Sequence, residues 1–343
     1  MPELLQQQAR RHRICGAAVA VVRQRELQAV TTASGCDPAL EVHADSVFQA
    51  ASLSKPVFAY AVLRLAQQGR LSLDAPVLQY LPRGYRHAYD PLRQGPNAKA
   101  DEVTDPRLHA VTVRMLLQHT AGLPNWASGP LHFEGTPGVR WSYSGEGYVL
   151  LQRAVEAVTG QALDQTMQEQ VFTPLGMRHS SYRWTPAIGD HLLAGFKANG
   201  VRREGMLLQR PVAAFSLYTS AGDYARFLVG LMRDEPQLAA IVGSPVDVDP
   251  RLNLSWGLGW GIEHSADGAH LWQWGNNPGY RAFVMALPDK GDGLVLLTNS
   301  DGGLKMVEPI LRASFAGEHK VLQSPFLAAG VLDSLCDVLR VCL

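Results

Sequence analysis

Phe48-Gln49-Ala50-Ala51-Ser52-Leu53-Ser54-Lys55-Pro56, followed by Val57-Phe58-Ala59-Tyr60-Ala61-Val62-Leu63, is the stretch on which the fold turns. The apolar run covers every face of a helix, so that helix is buried all round. The spacing predicts a helix starting near Ser52, with Pro56 tolerated in its first turn, running to about Gln68 and stopping at Gly69. Ser52 and Lys55 then share a face one turn apart. Capping by the serine and snorkelling by the lysine would be the ordinary reading of Ser-x-x-Lys. Here, however, a first-turn lysine on an all-apolar helix is hard to expose. Desolvation and the helix dipole both lower an amine's pKa from about 10.4 towards neutrality, where it can take a serine proton.

Outward from this segment, strand character appears at both ends of the chain. Residues 4–13 read as a polar helical lead-in, 16–22 as a buried strand and 30–34 as its partner. Roughly 75–190 is poor in strand signals, with helical windows at Val113–His119 and Gly145–Thr159. From about 210, the runs 255–262, 282–287 and 293–298 are spaced like successive antiparallel strands. The fold class expected is therefore α+β: an antiparallel sheet flanked by helices, with an inserted, mainly helical lobe. Residues 1–74 and 191–320 would form the sheet lobe, 75–190 the helical lobe, and 321–343 a helical tail. In that tail Leu327, Val331, Leu335, Val338, Leu339 and Cys342 keep helical period.

Two further elements carry chemistry. Trp141-Ser142-Tyr143-Ser144-Gly145 precedes a helix start, and its tyrosine is either a packing anchor or a phenol that relays protons. Gln273-Trp274-Gly275-Asn276-Asn277-Pro278-Gly279-Tyr280 leads into an apolar strand. It reads as a turn, or as an edge strand whose N–H groups join that of Ser52 in an oxyanion hole.

Composition narrows the function classes. The 343 residues are 46% hydrophobic and 18% charged, with 31 basic and 31 acidic residues, and only six lysines. That balance directs the chain to neither nucleic acid nor an anionic membrane. No apolar stretch is long enough to span a bilayer. The N-terminus lacks the pattern of a secretory signal, so a cytoplasmic location is expected. Cys15, Cys36, Cys336 and Cys342 show no C-x-x-C pair and read as free thiols. No zinc spacing appears and no metal or cofactor is expected. An α/β-hydrolase is excluded by the lack of Gly-x-Ser-x-Gly.

Taken in order, these elements resemble the serine β-lactamase and penicillin-binding-protein superfamily, closest to its class C, D,D-peptidase and esterase branch. The 48–56 segment is similar to that family's nucleophile segment, and Leu116-Leu117-Gln118-His119-Thr120-Ala121-Gly122-Leu123-Pro124 to its "LLxHTSGLP" loop. Tyr143-Ser144 resembles the start of Tyr-x-Asn, Pro174-Leu175-Gly176-Met177 its "PLGM", residues 219–227 "STAxDxARF", and Trp256-Gly257-Leu258-Gly259-Trp260 "YGLGW". The resemblance implies a cleft between sheet and helical lobe, Ser52, Lys55 and Tyr143 as catalytic residues, and Gln273, Trp274, Gly275, Asn276 and Gly145 as binding or oxyanion residues. Two positions depart from it. Gly145 replaces the family's Asn, and Gln273-Trp274-Gly275 replaces Lys-Thr-Gly or His-x-Gly, removing a cation that attracts a substrate carboxylate.

An esterase, amidase or acyl-transfer role on a small uncharged substrate fits these losses, with Trp274, Tyr280 and Trp126 as cleft aromatics. A non-catalytic binding or sensor module is the reading from another class. Arg281 is expected to point outward into solvent. The sequence leaves the oligomeric state open.

Overall fold

The computed structural model describes residues 1–36, 39–93 and 97–327. Twelve strands are present among them: β1 (Ala17–Arg23), β2 (Glu26–Ala33), β3 (Val47–Ala51), β4 (Arg86–Ala88), β5 (Ala100–Glu102), β6 (Leu217–Ser220), β7 (Val246–Asp249), β8 (Leu254–Trp256), β9 (Gly261–Ser265), β10 (Gly268–Asn277), β11 (Tyr280–Leu287) and β12 (Asp292–Thr298). Eight of them form one antiparallel sheet in the order β2-β1-β12-β11-β10-β9-β8-β7. β3 pairs with β6, and β4 with β5, in two small separate sheets. The two chain ends meet where β1 pairs with β12, Ala17 opposite Thr298.

Period-two alternation assigns the sheet's side chains to two cores. Ala18, Ala20 and Val22 of β1 point with Val284, Val295 and Leu297 to one face. Helices α2 (Ser54–Gln67) and α5 (Ala221–Arg233) cover that face; between them in sequence come α3 (Val113–Leu117) and α4 (Gly145–Thr159). Ala17 and Val19 point with Phe283, Met285, Leu294 and Leu296 to the other face, under α1 (Pro2–His12) and α6 (Val307–Ser314). The α+β architecture of a large antiparallel sheet with flanking helices is thus present. The 75–190 stretch holds short helices, α4 and the β4–β5 hairpin.

Three expectations change. The 255–262 run is two strands, β8 and β9, because Gly259 takes φ +86° and the Gly257 N–H returns to Trp260 O at 2.8 Å. A side chain at Gly259 would collide with Ala59 of α2, so this hairpin packs directly on the central helix. Ser52 lies before the helix rather than at its first turn: Ala51 has φ +50°, Ser52 and Leu53 form a turn, and α2 begins at Ser54. Finally, Cys15 and Cys36 are joined in a disulfide, their Cα atoms 4.5 Å apart, because β1 and β2 bring the two ends of that segment together. Cys336, Cys342 and most of the expected C-terminal helix lie outside the described residues. Lys320–Gln323 is a 3-10 turn.

The disulfide closes a loop spanning 21 positions. Breaking it with the Cys15→Ser/Cys36→Ser pair should cost about 3 kcal/mol. Urea unfolding with and without reductant checks this: wild type should lose that amount on reduction and the double variant should lose nothing.

Candidate active site

The turn carrying Ser52 is built by backbone contacts from four directions. Ala51 is held in the left-handed region, which a residue with a Cβ occupies at a cost of about 1 kcal/mol or more. The Ser54 hydroxyl donates to Ala51 O at 2.5 Å and accepts from Leu217 N at 2.9 Å. Tyr182 and Tyr224 donate their hydroxyls to Ser54 O and Leu53 O, at 2.6 and 3.0 Å. The turn is therefore fixed before any substrate arrives.

Lys55 is 1% exposed. Its Nζ donates to Ser52 Oγ at 3.1 Å and to Ala214 O at 2.9 Å. It lies over the Tyr143 ring at 4.7 Å and the Tyr148 ring at 5.6 Å. No carboxylate pairs with it among the described residues. Burial alone brings its pKa down from 10.5 to about 7. The acceptor carbonyl of Ala214 is itself positioned. Gln152, buried on α4, accepts from Ala213 N at 2.8 Å and donates to Pro211 O at 3.0 Å.

Tyr143 is part-exposed at its ring, but its hydroxyl is shielded from water. Burial pushes the phenol's pKa up, against the opposing pull of Ser52 and Gln273 beside it. Neither neighbour closes a good hydrogen bond to the phenol oxygen. His119 stacks against Tyr143 with ring centroids 4.4 Å apart. Its Nδ1 accepts from Ser144 N at 3.1 Å, so the ring proton sits on Nε2. Burial first, and Lys55 second, hold its pKa well below the usual value. It is a neutral plate behind the tyrosine. The sequence marks His119 only as part of the loop resembling "LLxHTSGLP", without a role, and nothing in the spacing of Ala214 and Gln152 singles those two out.

The third element comes from β10. β9 pairs with it only as far as Trp272, opposite Gly261, so residues 273–277 have one open edge. Gly275 passes directly over β3, the strand ahead of Ser52: a Cβ there would sit 2.5 Å from Ala50 O and 3.1 Å from Ala51 Cβ. Gln273 is fully buried, and its Oε1 accepts from Trp274 N at 3.1 Å. Trp274 packs on Tyr143 at 5.2 Å. Asn276 is exposed at the rim. Ser52, Lys55, Tyr143, Gln273, Trp274 and Gly275 are thus brought together.

Gly145 is adjacent to this group but its space is taken. A Cβ there would lie 2.6 Å from the Trp126 ring and 2.9 Å from Asn125 O. Trp126 in turn packs edge-on against Phe215, ring centroids 5.4 Å apart. An indole therefore stands where the family has an amide.

Two expectations fail. Arg281 is 6% exposed, not solvated, because its Nη1 is drawn to Asp301 Oδ1 at 3.1 Å and Asn277 O at 2.9 Å. Asp301 also accepts from Gly279 N at 2.7 Å, so the pair fastens the β10–β11 turn. Tyr280 is not in the Ser52 cleft. It lines a cavity of about 430 Å³ with Gln49, Trp184, Leu193, Arg202 and Met206, and its hydroxyl donates to Leu193 O at 2.6 Å.

The model of the Beta-lactamase family matches residues 1–316. The chain belongs to that family. It is 26% identical over 327 residues to penicillin-binding protein 4* of Bacillus subtilis (strain 168), covering 82% of this chain and 66% of the relative. To esterase EstB of Burkholderia gladioli it is 31% identical over 213 residues, 51% of this chain and 49% of the relative. The chain thus spans about half to two thirds of the length of these two relatives. Among solved structures, a D-stereospecific amidohydrolase from Streptomyces sp. superposes with a TM-score of 0.71 at 21% identity, covering 93% of this chain and 100% of that one. Its relatives thus include a penicillin-binding protein and an esterase, and the amidohydrolase shares its fold. Among the described residues, no helix is long and apolar enough to cross a membrane.

The Gly145–Trp126 contact makes a prediction. Gly145→Asn should destabilise the protein by about 1–3 kcal/mol through overpacking, and Trp126→Ala in the same chain should recover most of that loss. Thermal melts of the two single variants and the double variant measure the coupling. Strictly additive effects would mean the indole does not occupy the side-chain space of position 145.

Proposed function

We propose that this protein is a serine hydrolase acting through an acyl-enzyme on small, uncharged ester or amide substrates, with esters preferred. The observation that carries the reading is the Lys55 amine: buried, without a carboxylate, and 3.1 Å from Ser52 Oγ.

In this reading Lys55 and Tyr143 have distinct roles, because burial moves their pKa values in opposite directions. The neutral amine takes the Ser52 proton as Oγ attacks the acyl carbon. The oxyanion is met by the Ser52 N–H and an N–H of the open β10 edge around Gly275–Asn276. The protonated phenol gives its proton to the leaving oxygen or nitrogen and regains one from the Lys55 ammonium. Water then attacks the acyl-Ser52 carbonyl with Lys55 again as base, and the acid departs.

Substrate preference follows from the walls. Gln273 is neutral, and Arg281 is turned into Asp301, a carboxylate it shares with Arg203. Trp126, Phe215 and Trp274 supply aromatic surface in place of amide and cation. Two relatives, an esterase and a D-stereospecific amidohydrolase, bracket the chemistry. The Cys15–Cys36 disulfide suits an oxidising compartment better than the cytoplasm.

A fluorophosphonate probe should label Ser52 and fail on Ser52→Ala, as read by intact mass; an adduct persisting in that variant would remove the nucleophile from the scheme. Lys55→Ala and Tyr143→Phe should each lose about 10²–10⁴ in kcat while melting normally. Since the working form of Lys55 is the neutral one, acylation should rise as pH climbs through about 7 and level off above it. A rate flat from pH 5 to 9 at this step would contradict a titrating amine.

Matched p-nitrophenyl esters differing only in a carboxylate test the neutral wall. Wild type should favour the uncharged ester, nitrocefin should turn over poorly, and Gln273→Lys should narrow the gap between the two esters. A wild-type preference for the carboxylate would overturn the ester-leaning reading and point to another cation, Arg202 of the side cavity first.

A further inference from the structure

We propose that Glu263, His270 and His319 form a zinc site that clasps the C-terminal segment onto the sheet, on the face away from Ser52. Glu263 and His270 are direct cross-strand partners on β9 and β10, so their side chains rise from the same spot on the sheet. The chain leaving α6 brings His319 over them, its ring 6.0 Å from that of His270. One ligand-type atom from each of the three lies within 4.8 Å of the others. Small side-chain rotations bring such a set to the bond lengths of zinc, about 2.0–2.2 Å to nitrogen or carboxylate oxygen.

The polar groups there are left wanting. Glu263, His270 and His319 are 1%, 3% and 2% exposed. Both ring nitrogens of His319 and both of His270 are buried without a hydrogen-bond partner. Glu263 accepts from Val321 N at 3.0 Å, and no lysine or arginine pairs with it among the described residues. A buried carboxylate facing imidazoles that donate to nothing is costly unless a cation completes it. Two imidazoles and one carboxylate suit a divalent ion of zinc's borderline character. Asp267 Oδ1 lies 3.1 Å from His270 Nε2 without closing a hydrogen bond to it, and a small turn of the ring would make it the outer carboxylate of a metal-bound histidine.

Along β10 the residues His270, Trp272 and Trp274 share this face. The C-terminal segment follows the same row: His319 sits at His270, and Phe326 sits on Trp274 at 4.8 Å and near Trp272 at 6.0 Å. Trp274 in turn backs Tyr143. A metal at the first rung therefore holds the strap whose far end supports the aromatic wall of the cleft.

The test uses the full chain stripped with a strong chelator and titrated with Zn(II) against a chromophoric competitor, and separately with Co(II). Wild type should bind one tight equivalent, show the visible bands of tetrahedral cobalt, and melt higher with zinc. His319→Gln, which alters the strap and leaves the sheet intact, should lose the equivalent. Asp267→Asn should weaken it by about 10–100-fold. His191→Gln should bind as wild type, since the other His-Asp group, Asp45, His179 and His191, is half-exposed and already ion-paired at 3.2 Å. No tight equivalent in wild type, or an equivalent that survives His319→Gln and vanishes in His191→Gln, overturns the proposal. If His319→Gln fails to fold, Glu263→Gln on β9 gives the same reading, and a wild type without the cobalt bands overturns the proposal by itself.

Discussion

A lysine ammonium sealed among aromatic rings, with only a hydroxyl and one carbonyl to receive its hydrogen bonds, cannot keep its proton much above neutral pH. Most of the cleft's construction follows from that constraint. The Lys55 amine needs a dry wall, which Tyr143, Tyr148 and the all-apolar α2 supply. It needs neighbours that add no charge, and His119 is held neutral behind Tyr143. It needs its acceptor carbonyl at a fixed distance, and Gln152 pins the Ala213–Ala214 backbone to α4. A carboxylate introduced into this ring would restore the ammonium.

The left-handed Ala51 and the missing side chain at Gly275 are two sides of one close approach. The turn after β3 carries Ser52 towards Lys55, and β10 passes near enough for its backbone to face the same point. Hydrogen bonds from Ser54, Tyr182 and Tyr224 offset the strain at Ala51. The open edge of β10 arises because the β8–β9 hairpin turns away at Gly257–Trp260 to pack on α2. The geometry around Ser52 is thus a consequence of sheet register as much as of the motifs themselves.

The departures from the family pattern also act together. With Gly145 in place of an asparagine, the Trp126 indole can fill the space, and its partner Phe215 follows Ala214, the acceptor of Lys55. With Gln273 in place of a cation, Tyr143 and Trp274 pack closely beside a buried neutral amide. In the proposed function each change alone weakens recognition of a charged peptide-like substrate. Jointly they exchange a polar, cationic cleft for an aromatic one.

Much of this was legible in the residues. The apolar run after Lys55 required a buried helix whatever surrounded it, since no face of it could meet water. Apolar runs at both chain ends pointed to an antiparallel sheet, though not to the pairing of β1 with β12, and α4 begins and ends at the residues its pattern indicated, Gly145 and Thr159. Local pattern stops at contacts between segments distant in the chain. The Cys15–Cys36 bond, the burial of Arg281 on Asp301, the split of residues 254–265 into a hairpin, and the Trp126 ring over Gly145 all depend on which strands become neighbours and how closely they pack. The cluster of Glu263, His270 and His319 is the plainest case: a cross-strand pair and a residue 49 positions further on (319 less 270) have no spacing to recognise. Sequence determines which side chains must be buried, because transfer from water is a property of the residue. Tertiary structure alone decides which buried groups meet, because that is a property of the register.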